Sequence, residues 1–345
     1  MLRFECDYTE GCIPEILEAI ARENHTQLQG YSEDTVTERA RAKVKALCGR
    51  DDLAVHFLVG GTQANTTVIA AALRHHQGVI AAAQGHIACH ETGAIEAAGH
   101  KVIALPSDTG RLTARQIDQV CAAHWSDPSF EHQTQPAMVY LSHPAENGTI
   151  YSLSELEEIR AVCDKWYLFL FLDGARLGCA LTAQGNDLTL PDLARLTDAF
   201  YIGGTKNGAL MGEALVIVNP ALQTDFFRIK KQRGGVLAKG WLLGAQFEAL
   251  LTDGLYFQLA RHANEMAQKL QQGLKKKGVS FFYESPTNQI FPIVPDRVLP
   301  ELNKICAYEV WGPADLPGRT IIRFVASFAT KPSDVDGLLE HFPLK

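Results

Sequence analysis

Lys206 offers the most chemistry in this chain, because Ala199-Phe200-Tyr201-Ile202-Gly203-Gly204-Thr205-Lys206 delivers a lysine just past an apolar run. A desolvated lysine loses basicity and becomes a nucleophile able to form a Schiff base, whereas an exposed one is only a solvated charge. Asp173 has an equivalent place, since the almost wholly apolar run 167–172 stops at Asp173-Gly174-Ala175-Arg176. A carboxylate there can keep a pyridine nitrogen protonated and the ring a good electron sink, or it can cap a helix. Gly60-Gly61-Thr62-Gln63-Ala64-Asn65 follows a run ending at Val59 and opens a helix. Free backbone amides there can hold a phosphate, with Thr62 adding its hydroxyl; a plain tight turn is the alternative. His86, in Gly85-His86-Ile87-Ala88-Cys89-His90-Glu91, can stack on a planar cofactor or serve as a hydrogen-bonded structural residue.

These four places must be brought together by the elements that carry them. Short apolar runs occur at 54–59, 79–83, 102–105, 138–141, 167–172, 199–203 and 214–218, most of them separated by helical or loop segments. Strands buried on both faces and alternating with helices predict an α/β fold with a mostly parallel sheet, whose ligands bind beyond the carboxyl ends of the strands. Phosphate site, carboxylate and lysine then fall in the order and at the strand ends that pyridoxal 5′-phosphate requires. Ile13, Ile16, Leu17 and Ile20 mark a helix after an N-terminal arm. After Lys239 the pattern changes to a long helical stretch, strands near 280–283, 289–294, 307–310 and 320–325, and a final helix from about Pro332. The expected division is a large domain over 1–240, including the arm, and a smaller C-terminal α+β domain over 241–345.

Composition removes several classes of function. The 345 residues carry a net charge of -7, with no basic excess to draw the chain onto nucleic acid or anionic membranes. The start lacks the apolar core of a signal peptide, and no apolar run approaches the roughly 18 residues of a membrane span, so a cytoplasmic protein is expected. Eight scattered cysteines without CxxC pairing read as reduced, mostly buried thiols, and no metal site is expected.

The motifs Asp173-Gly174-Ala175-Arg176-Leu177, Gly60 to Asn65, His86 with Glu91 five residues on, and Thr205-Lys206 resemble the threonine-aldolase and β-eliminating-lyase group. The similarity runs from Cys6-Asp7 to Arg323-Phe324-Val325. It is nearest to phenylserine-aldolase-like, low-specificity members at Gly204-Thr205-Lys206-Asn207-Gly208 and Arg323 to Thr330. The resemblance implies a fold-type-I, pyridoxal-phosphate transferase-like enzyme whose active sites form at the interface of a homodimer or homotetramer.

Carried over by position, the resemblance makes Lys206 the cofactor-bearing lysine beside Thr205, Asp173 the partner of the pyridine nitrogen, and His86 the stacking residue. It places Gly61 and Thr62 on the phosphate. Arg176 and Arg323 are implied near the cofactor phenolate and the substrate carboxylate. The basic run Arg228, Lys230, Lys231 and Arg233 before Gly234-Gly235 resembles a loop that reaches a neighbouring subunit's phosphate; a solvated charged loop is the alternative. Two positions depart from the pattern. Glu146 stands where many threonine aldolases have a histidine, leaving Glu146 as the expected base with His143 as its competitor. Cys6 stands where a serine that contacts substrate is common, and a thiol is a weaker hydrogen-bond partner.

The activity expected is cleavage of a β-hydroxy-α-amino acid, such as L-threonine, L-allo-threonine or L-phenylserine, to glycine and an aldehyde. β-Elimination or transamination with the same cofactor is the nearest alternative, and a non-catalytic binding role is another.

Overall fold

The computed structural model describes residues 1–344. Its centre is a seven-stranded sheet formed by β1 (Ala54–Leu58), β2 (Gln77–Ala82), β3 (Lys101–Leu105), β4 (Gln135–Ser142), β5 (Phe169–Asp173), β6 (Ala199–Gly203) and β7 (Glu213–Ile217), in the order β1-β7-β6-β5-β4-β2-β3. Side chains alternate between two apolar layers: Val139, Leu170, Leu172, Phe200 and Ile202 pack on one face, and Met138, Tyr140, Phe171 and Tyr201 on the other. Burial on both faces is why these strands read as unbroken apolar runs. Each fully buried large side chain contributes roughly 1.5–3 kcal/mol.

The sheet is parallel from β3 to β6, as expected, but β7 runs antiparallel to both β6 and β1. The physical reason is the connection: residues 204–212 are fewer than the dozen or so that a parallel crossover needs. Lys206 therefore sits on a hairpin. A smaller difference concerns Tyr167, which the apolar run placed in a strand. It instead closes the helix Leu153–Trp166 in the left-handed region at φ 56, with 92% of its surface exposed.

The helix Trp241–Leu250 puts Leu243, Phe247 and Leu250 into the core of the central sheet. The long helix Leu255–Lys276 then carries the chain to a second core, where its Leu270 and Leu274 meet Ile290, Ile322, Phe324 and Leu338. That core lies on an antiparallel sheet of Gln289–Ile290, Arg319–Val325, Pro292–Pro295 and Ser280–Phe281, with Glu309–Pro313 on Arg319–Val325. The closing helix is Pro332–His341. The N-terminal arm packs against this second body: Leu2–Arg3 pairs in parallel with Cys306–Ala307, and Phe4 is buried in its core. The arm then reaches the central sheet, where the Ile13 amide donates to the Gly208 carbonyl at 3.0 Å. Cys6 and Asp7 are thereby drawn between the two bodies. Among the described residues no helix is long and apolar enough to cross a membrane.

Candidate active site

Lys206 follows a strand with all five residues buried, and the hairpin around it is held by neutral bonds. The amides of Gly204 and Thr205 donate to the Gly212 carbonyl at 2.9 and 3.2 Å, and the Gly212 amide donates to the Thr205 hydroxyl at 2.9 Å. The hairpin depends on glycine at 204, where a Cβ would come within 2.8 Å of the Phe247 ring. Burial, reinforced by Arg176, lowers the basicity of Lys206, against the pull of Asp7, Glu146 and Asp173.

Asp173 ends β5 and is 5% exposed. Its Oδ2 accepts the Tyr140 hydroxyl at 2.5 Å and the Asn65 amide at 3.1 Å, and its Oδ1 accepts the Ala175 amide at 3.0 Å. It does not cap the following helix, whose N-cap position is Arg176. Asn65 also donates to Glu91 Oε1 at 2.7 Å, the atom that lies 2.7 Å from His86 Nδ1. Burial works against a charged His86, yet the Glu91 bond and the fields of Glu146 and Asp173 prevail and raise its pKa.

Gly61 opens the helix Gly61–Ala72, an N-terminus with no side-chain cap, so its first amides are free for an outside acceptor. A Cβ on Gly61 would come within 2.9 Å of the Tyr201 hydroxyl. The backbone can approach that closely only with glycine there.

A cavity of about 340 Å³ brings Gly61, Thr62, His86, Glu146, Asp173 and Lys206 together, with Arg176 and Thr205 also on its wall. Glu146 accepts the Ser142 hydroxyl at 3.2 Å. His143 is not on this wall; it is completely buried, and desolvation reinforced by Arg111 pushes it down to about 3. Its Nδ1 accepts the Tyr151 amide at 3.3 Å. An adjoining space of about 490 Å³ shares Lys206, Glu146, His86 and Arg176 and adds Cys6 and Arg323.

Arg176 and Asp7 form a buried fork, with Nε–Oδ2 at 2.6 Å and Nη2–Oδ1 at 2.9 Å. Arg323 is engaged by Glu309, donates to Gln289 Oε1 at 3.0 Å, and lies 5.6 Å from the Trp311 ring centroid.

Arg233 is not on the wall of the Lys206 cavity. It lines a separate cleft of about 760 Å³ with Thr62, His75 and His100, and its Nε is buried without a partner. The basic run before it is corrected from a loop to a helix, Phe226–Gln232. Lys230 is buried there, and the Lys231 ammonium sits 4.9 Å from the Tyr31 ring centroid.

Sequence reasoning missed the roles of Asp7, Asn65, Tyr140, Tyr201 and Glu213. Asn65 and Asp7 stand inside motifs already singled out. Tyr140 and Tyr201 were hidden in apolar runs, although strand parity puts both on the Asp173 side of the sheet.

The donor set fits pyridoxal phosphate: an uncapped helix end for the phosphate, a carboxylate held by three donors for the pyridine nitrogen, and a desolvated lysine on the same cavity. Sheet and site together define a fold-type-I pyridoxal-phosphate enzyme. Residues 6–296 match the β-eliminating lyase family, and the chain belongs to that family. It is 30% identical over 336 residues to a low-specificity L-threonine aldolase of a Pseudomonas species, covering 96% of this chain and 94% of that one. A threonine aldolase structure from Leishmania major superposes with a TM-score of 0.95 at 44% identity, covering 99% of this chain and 98% of that chain. A tetra mutant of Thermus thermophilus aspartate aminotransferase, at 16% identity and TM-score 0.71 over 99% of this chain and 95% of that one, shows the shared fold alone.

Proposed function

We propose that the chain cleaves β-hydroxy-α-amino acids to glycine and an aldehyde with pyridoxal 5′-phosphate, in the cavity that Lys206 and Asp173 share. The observation that carries this reading is the convergence of Lys206, Asp173, His86, Glu146 and the Gly61 helix end on one cavity. When bound, the cofactor supplies a protonated pyridine ring that draws electrons from the bond being broken. Lys206 would hold the cofactor through its desolvated amine. Asp173, aimed by Tyr140, Asn65 and the Ala175 amide, would hold the proton on the ring nitrogen. His86, oriented by Glu91, would pack over the ring.

Gly61 and Thr62 would hold the phosphate, with Thr205 beside Lys206 on the cavity lining. Arg176, steadied by Asp7, together with Arg323 and Cys6 receives the substrate carboxylate. Glu146 accepts the β-hydroxyl proton as Cα–Cβ opens, a role its place on the cavity wall supports over the buried His143.

In the same reading the large domain over 1–240 builds the cofactor site, and 241–345 supplies Arg323. The protein works as a homodimer or homotetramer in which Arg233 approaches a neighbour's phosphate, a reading supported by its place on an open cleft with Thr62. Cytoplasmic residence is supported by eight free thiols.

Product analysis with L-threonine, L-allo-threonine and L-phenylserine tests the reaction. Glycine plus the matching aldehyde is expected. Ammonia plus a keto acid would replace the proposal with β-elimination.

A further inference from the structure

Glu213 is a buried carboxyl that the mechanism above leaves unused. It opens β7 directly across from Gly203 and is 4% exposed. Its Oε2 accepts the Gly204 amide at 3.2 Å and its Oε1 accepts the Thr205 hydroxyl at 3.0 Å. Both bonds come from neutral donors on the two residues that precede Lys206. Glu213 also lines the cavity that holds Lys206.

A carboxyl in such a place is costly to ionise unless a positive charge lies near. The charged or titratable groups that face it are Lys206, Asp173, Tyr201 and Tyr256. Lys206 is the single cation among these four. The amine of Lys206 is faced in turn by Arg176, Asp7, Glu146 and Asp173.

We propose that Glu213 is a positioning residue that sets the charge of Lys206: ionised, it favours the ammonium form, and protonated, it leaves the amine neutral and nucleophilic. The inference rests on Lys206 as the cofactor-bearing lysine. Burial pushes Glu213 up to about 8, against the pull of Lys206 and of its two hydrogen bonds. The carboxyl therefore changes charge in the mildly alkaline range.

The test compares wild type with Glu213→Gln in two titrations. In the first, each holoenzyme is titrated with acid and base, and the midpoint of its visible absorption change is recorded. In the second, the cofactor-free proteins are labelled with pyridoxal and borohydride across pH, and Lys206 modification is read by peptide mass. Removing the carboxylate takes away an anion that holds the cation, so both midpoints fall by about one pH unit, a roughly tenfold change at fixed pH.

Unchanged midpoints in a variant that retains cofactor and fold would overturn the inference and leave Glu213 as a plain acceptor for the hairpin. If Glu213→Gln loses the cofactor, the labelling titration decides on its own. A wild type that takes up cofactor with no spectral change would overturn the assignment of Lys206, and this inference with it.

Discussion

Replacing Asp7 by Asn removes one charge from the buried fork with Arg176 while keeping the side chain's shape. The side chains of Arg176 and Asp7 are 8% and 0% exposed, so water screens neither. Asp7 accepts two bonds from Arg176, at 2.6 and 2.9 Å, and a third from Asn288 at 2.9 Å. An asparagine offers one acceptor oxygen and turns an NH₂ group toward donors. Breaking a buried pair from one side costs about 3–5 kcal/mol, and the acceptor that remains argues for the lower end, about 3 kcal/mol. Against a typical stability of roughly 5–15 kcal/mol this is a large loss.

The loss has a pH signature. Burial raises the Asp7 carboxyl, but Arg176, Lys206 and the bonds from Arg176 and Asn288 outweigh it and hold the group below its ordinary 3.8. A depressed carboxyl contributes its full stability above the unfolded value and loses it as pH falls through the folded one. Denaturant unfolding of wild type and Asp7→Asn at pH 7 and at steps down to pH 3 reads the difference directly. The gap should be full at pH 7 and shrink only below about pH 4. Equal stabilities at pH 7, or a gap that persists unchanged in acid, would refute the assignment of a charged pair.

Glu146→Gln should bind cofactor normally and lower single-turnover aldehyde release by roughly 10²–10⁴-fold, the usual contribution of a general base. A defect confined to His143→Asn would reverse the assignment. Asp173→Asn should keep the cofactor and lose turnover by about 100-fold, the equivalent of one charge-assisted bond of about 3 kcal/mol; near-normal rates at full occupancy would exclude Asp173 from the chemistry. Arg323→Ala should raise KM far more than it lowers kcat, because the guanidinium proposed to receive the substrate carboxylate is lost. An unchanged KM would assign Arg323 to structure, through Glu309 and Gln289.

The place of Lys206 and Asp173 at strand ends was legible because a strand buried on both faces must be apolar, so polar residues at or just past its carboxyl end mark the ligand end of the sheet. The run 199–203 coincides with β6 for the same reason. The direction of β7 was also written in the chain, in a connection too short to cross over. The basic run 228–233 was misread as a loop because its charges mask a helix that buries Phe226 and Lys230.

What stayed hidden depends on contacts between residues distant in the chain. Asp7 meets Arg176 across a sequence separation of 169, and Asp7 meets Asn288 across 281. The N-terminal arm brings Asp7 there only by first pairing Leu2–Arg3 with Cys306–Ala307. No local periodicity records such a pairing. The choice between Glu146 and His143 was likewise undecidable from spacing, since it turns on which side chain reaches the cavity wall.

Borohydride reduction of the cofactor-loaded protein, followed by digestion and mapping of the labelled peptide, tests the central claim most directly. A phosphopyridoxyl group on Lys206 and on no other lysine is the predicted result. A label on another lysine, or none on a protein that has taken up the cofactor, would contradict the site built around Lys206 and Asp173.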